Sequence, residues 1–77
     1  MDASIREKIC EETFRLLRER REDLGLSMNE VARRTGLSQQ TVSFVERGMR
    51  MPTLDTLLRI SGALDLNLWE LLRKASK

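Results

Sequence analysis

Apolar residues recur along this chain at three- and four-residue steps, the spacing that lines one face of an α-helix. Phe14, Leu17 and Leu24, with Ile5 and Ile9 upstream, form the first such stripe. Val31 and Ala32 fall on one face of a second segment, and Val42 and Val45 on one face of a third. Leu54, Leu57, Leu58, Ile60 and Leu64 stripe a fourth, while Leu68, Trp69, Leu71 and Leu72 fill a fifth. Start signals precede each stripe. Ser4-Ile5-Arg6-Glu7 and Ser27-Met28-Asn29-Glu30 have the capping-box form, and Asn67-Leu68-Trp69-Glu70 is its asparagine variant. Ser38 and Thr53 stand as N-caps without a reciprocal glutamate. Gly25 and Gly48 sit where a left-handed residue would close the first and third helices, and Gly36 supplies the turn between the second and third. The pattern predicts five helices, over residues 5–24, 28–34, 39–47, 54–64 and 68–75. The expected fold class is all-α.

The length, 77 residues, is that of one small domain, so residues 1–77 are read as a single unit. Composition then removes most chemistry. The chain has no histidine, and its one cysteine, Cys10, can form neither an internal disulfide nor a cysteine-based zinc site. No metal and no cofactor is expected, and a cytoplasmic location is. No apolar run exceeds two residues, which leaves no membrane span and no signal-peptide core. There is no glycine-rich phosphate loop, no tyrosine and no arrangement of nucleophile and base. Catalytic residues are therefore none, and an enzyme is rejected.

Charge matters by placement. Residues 1–32 carry six basic and eight acidic side chains, residues 33–52 carry four basic against one acidic, and residues 53–77 carry four against three. The positive excess thus sits mid-chain, where two short predicted helices, 28–34 and 39–47, are joined by Thr35-Gly36-Leu37. A small residue (Ala32), a glycine (Gly36) and a β-branched residue (Val42) fit the steric needs of a helix-turn-helix crossing.

With these features in place, the sequence resembles the lambda-repressor-like family of Xre/Cro-type regulators. The resemblance runs from about Phe14 to Leu72, through Leu17-Arg18-Glu19-Arg20-Arg21, Glu30-Val31-Ala32, Gly36-Leu37-Ser38, Val45-Glu46-Arg47-Gly48, Pro52-Thr53-Leu54 and Leu57-Leu58-Arg59-Ile60. It implies a compact five-helix DNA-binding domain from bacteria, archaea or phage, often dimeric, whose third helix enters the major groove of double-stranded DNA. Residues 1–13 become an N-terminal extension of the first helix, and the helix-turn-helix spans about 27–48. The resemblance also matches Arg21 and Glu46 to a structural ion pair.

Helix periodicity assigns the third helix two sides. Val42, Val45 and Glu46 group on one, while Gln39, Gln40, Ser43, Phe44 and Arg47 fan across the other. Glutamine pairs bidentately with adenine, so Gln39 and Gln40 are apt base readers, joined by Ser43. Phe44 either packs beside Val45 or meets a thymine methyl. Phosphate contacts are assigned to Ser27, Asn29 and Ser38 at helix starts, and to Arg47 and Arg50. Arg34 is a weaker phosphate candidate, and Arg33 is read as a solvated surface charge.

A single recognition helix touches few bases, so a homodimer on a pseudo-palindrome is expected. Met49, Met51, Leu66 and Trp69 are the interface candidates, while Leu68 and Leu72 are assigned to the core. The expected function is sequence-specific transcriptional regulation, as a phage repressor, a restriction–modification controller or an antitoxin. The alternative is a protein-interaction module that keeps the fold and binds a protein partner such as a toxin or polymerase. No small-molecule ligand and no membrane partner is expected.

Overall fold

The chain forms five helices in a computed structural model that describes residues 1–77: α1 (Ala3–Asp23), α2 (Met28–Thr35), α3 (Gln39–Glu46), α4 (Leu54–Ala63) and α5 (Leu68–Ala75). The first starts earlier than its sequence signal because Asp2, not Ser4, is the cap. Asp2 Oδ1 accepts the Ile5 amide at 2.9 Å, and its charge faces the positive end of the helix. Ser4 lies inside the first turn instead. Ser27, Ser38 and Thr53 cap as their positions predict, accepting the amides of Glu30, Thr41 and Thr56 at 3.0, 3.0 and 3.1 Å. The reciprocal half of the capping box is absent at Ser27, since the Glu30 carboxylate pairs with Arg33. Asn67 has cap backbone geometry, but its side chain makes no capping bond.

Three helices end in the same way. Gly25 and Gly48 adopt φ of +69° and +66°, and each turn is closed by two backbone bonds. Gly25 donates to Glu22 and Leu26 to Arg21; Gly48 donates to Val45 and Met49 to Phe44. At the end of α4 the left-handed residue is Asp65, φ +58°, with Asp65 donating to Gly62 and Leu66 to Ser61. No glycine announces that turn.

The core draws Phe14, Leu17, Val31, Ala32, Val42, Val45, Ile60, Leu64, Leu68 and Leu71 from all five helices and their ends. Helix α1 packs on α3 and α5, α2 on α3 and α4, and α4 on α5. The molecule measures 35 × 21 × 19 Å, its long dimension close to the length of the 21-residue α1. Several stripe residues lie outside this core. Ile5, Leu24, Leu54, Leu58 and Leu72 are exposed. The buried face of α4 runs through Ile60 and Ser61, which turns Leu54 and Leu58 outward. Burial of Leu68, Leu71 and Ala75 on α5 likewise turns out Trp69 and Leu72. Leu72 therefore does not close the core, and Leu66, offered as an interface residue, is half-buried against it.

Candidate nucleic-acid interface

The joint between α2 and α3 is built from small and hydrogen-bonding residues. Ala32 is buried at the crossing, and Gly36, at φ +76°, donates to the Ala32 carbonyl at 2.9 Å. Thr35 Oγ1 donates to the Val31 carbonyl at 2.8 Å and accepts the Leu37 amide at 3.3 Å. From α4, Arg59 Nη1 donates to the Thr35 carbonyl at 3.3 Å, while its Nε meets Asp55 at 3.0 Å. Thr35 and Arg59 thus steady the turn, a role that went unassigned in the sequence. The one available signal was the Asp55–Arg59 spacing of four.

Val42 and Val45 anchor α3 inward. Gln39, Gln40 and Arg47 project into solvent, while Ser43 and Phe44 are half-buried. One face of the Phe44 ring is covered by the Arg50 guanidinium, 4.9 Å from the ring centroid. Ser27, Asn29 and Ser38 are exposed, and the hydroxyls of the two serines are engaged as caps. The backbone amides of Met28 and Asn29 on α2, and of Gln39 and Gln40 on α3, have no intramolecular acceptor. Such amides at a helix start are set to receive an anion. Arg34, Arg47 and Arg50 are exposed and their guanidinium groups make neither ion pair nor hydrogen bond within the chain, whereas Arg33 is held by Glu30.

Arg21 and Glu46 meet as a fork. Arg21 Nε lies 2.6 Å from Glu46 Oε2 and Nη2 lies 3.0 Å from Oε1. The third donor, Nη1, reaches the Leu26 carbonyl at 2.8 Å. Glu46 is only 7% exposed, so the carboxylate is shielded from solvent. Its hydrogen bond raises the Arg21 pKa above the ordinary value, against the opposing effect of burial. One side chain of α1 therefore holds both the end of α3 and the residue that precedes the α2 cap.

Of the interface candidates, Met49, Met51 and Trp69 are exposed, Trp69 by 67%. Leu54, Leu58 and Leu72 add to the exposed apolar surface. No helix is long and apolar enough to cross a membrane.

A helix-turn-helix seated on a five-helix core, with a polar outer face and uncommitted arginines, is the architecture of a DNA-binding helix-turn-helix regulator. The chain belongs to the helix-turn-helix family, of the lambda-repressor-like Xre/Cro type, the family profile matching residues 17–71. It is similar to an uncharacterized HTH-type transcriptional regulator of Methanothermobacter thermautotrophicus, 43% identical over 49 residues, or 64% of this chain and 71% of that protein. One from Sinorhizobium fredii is 45% identical over 51 residues, 66% of each chain. One from Mycobacterium tuberculosis is 44% identical over 48 residues, 62% of this chain but only 34% of that protein.

Proposed function

We propose that this protein is a sequence-specific transcriptional regulator that binds double-stranded DNA as a homodimer, each copy laying α3 in the major groove of one half of a pseudo-palindromic operator. The observation that carries this reading is the outer face of α3. Two exposed glutamines stand at a helix start with free amides, and the arginines at the other end are uncommitted. In this reading Gln39 and Gln40 contact base edges, joined by Ser43, and Phe44 lies next to them at the groove. Ser27, Asn29, Ser38, Arg47 and Arg50 hold phosphates and fix the register. Arg21 and Glu46 are structural.

The homodimer follows from the small number of bases one helix can read, and the exposed Met49, Met51, Leu54, Leu58, Trp69 and Leu72 supply apolar surface for it, with Leu66 leading into α5. The names of the relatives support a regulator of transcription. Residues 1–77 act as one domain in the cytoplasm, with residues 1–13 extending α1 beyond the helix-turn-helix unit at about 27–48.

Selection from random duplex DNA, run beside the Gln39→Ala/Gln40→Ala variant, tests the reading. The expected result is a palindromic motif with half-sites about 34 Å apart, lost in the variant. No enrichment even at low salt would overturn it. That outcome would favour a protein partner, such as a toxin or polymerase, for which the acidic excess of residues 1–32 is the motivating feature.

A further inference from the structure

We infer that Phe44 serves DNA binding through Arg50: its ring holds the Arg50 guanidinium in place as a phosphate clamp, which makes Phe44 a positioning residue and not a base reader. This rests on the reading that α3 enters the major groove.

The backbone brings the two side chains together. Gly48, at φ +66°, donates to Val45 at 3.1 Å, and Met49 donates to Phe44 at 3.0 Å. This closure reverses the chain directly after α3, so that Arg50 returns beside the residue whose carbonyl Met49 binds. The guanidinium then lies over the ring, 4.9 Å from its centroid. A planar cation on an aromatic face is attracted by the ring quadrupole and keeps its edge N–H donors free. Nothing else in the chain holds Arg50, which makes no ion pair and no hydrogen bond. An arginine in an exposed loop otherwise samples many rotamers and loses that freedom on binding. Stacking removes part of the loss beforehand, which is the usual source of affinity from pre-organisation. The same contact covers one face of a half-buried ring, leaving less of it for a thymine methyl.

The test is a set of anisotropy titrations against the selected operator and a scrambled duplex, over a salt series. The proteins are wild type, Arg50→Ala, Phe44→Leu, Phe44→Tyr and the Phe44→Leu/Arg50→Ala double variant. Arg50→Ala should lower the magnitude of the logarithmic salt slope by about 0.9, the loss of one phosphate contact. Phe44→Leu should weaken binding to both duplexes about two- to five-fold, matching a surface cation–π contact. Phe44→Tyr keeps the ring and should bind as wild type, and the double variant should bind like Arg50→Ala alone. If Phe44→Leu costs as much without Arg50, or weakens the operator only, the ring acts independently and the inference is overturned. Wild type that shows no salt-dependent binding overturns the major-groove reading itself. Proton NMR of the free wild-type protein gives a measure independent of any variant's folding. Upfield ring-current shifts on the Arg50 side chain are expected, and random-coil shifts there overturn the stack.

Discussion

Glu46 carries the clearest energetic consequence of any single residue. Its carboxylate is buried, and both oxygens are taken by the Arg21 fork. Removing one partner of such a pair leaves the other as an uncompensated buried charge, so Glu46→Ala should cost roughly 3–5 kcal/mol. Urea denaturation measures it, and an unmoved midpoint would refute the structural role. Exposed pairs behave differently. The hydrogen bond from Arg15 holds the Glu12 carboxyl below the ordinary glutamate value. Its contribution is present above the usual carboxylate range and fades as pH falls through the lowered value. Since Glu12 and Arg15 face solvent, Glu12→Gln should barely move the melting temperature, although NMR should find the Glu12 carboxyl titrating below the ordinary glutamate value. Turn residues divide by visibility. Gly48 could be read from the sequence, and Gly48→Ala should cost about 1–2 kcal/mol because a side chain disfavours positive φ. Asp65 takes the same conformation in Leu64-Asp65-Leu66, where aspartate tolerates positive φ but marks a turn less plainly than glycine.

At the scale of elements, sequence letters located every helix but did not settle how each cap was made. Ser27, Ser38 and Thr53 place an oxygen on the third amide of their helices, while Asn67 does not. Alanine at each of the first three should lower stability by about 1 kcal/mol, and Asn67→Ala should be close to neutral. Thermal unfolding of the four variants without DNA checks this contrast, and an equal loss at Asn67 would count against the cap geometry. Periodicity had a different limit. A stripe three and four residues apart tells which residues share a helix side, not how wide a strip of that side meets other helices. Helix α4 buries Ile60 and the small polar Ser61, whose hydroxyl bonds the Leu58 carbonyl at 3.3 Å, and leaves the larger Leu54 and Leu58 outside. The Phe44–Arg50 stack escaped sequence reading for a related reason. It depends on a chain reversal that brings together residues on different elements.

At the scale of the whole molecule, the exposed apolar residues are the unspent feature of the fold. Leu54 and Leu58 lie one turn apart on the outer side of α4, and Trp69 and Leu72 are three residues apart on the outer side of the adjoining α5. A chain of 77 residues has a small core, and a second copy covering these side chains would remove water from them while presenting a second α3 to DNA. Leu58→Glu/Trp69→Glu places charges at two solvent-facing positions, so helix content should survive while self-association is lost. Sedimentation equilibrium should find wild type dimeric and the variant monomeric. Binding to a full palindrome should fall steeply in the variant, while binding to an isolated half-site stays unchanged, because α3 itself is untouched. Wild type that remains monomeric both free and on a full operator would overturn the homodimer. A variant that stays dimeric would move the interface to another exposed apolar group, of which Ile5 on the N-terminal extension and Met49 after α3 are the next to substitute.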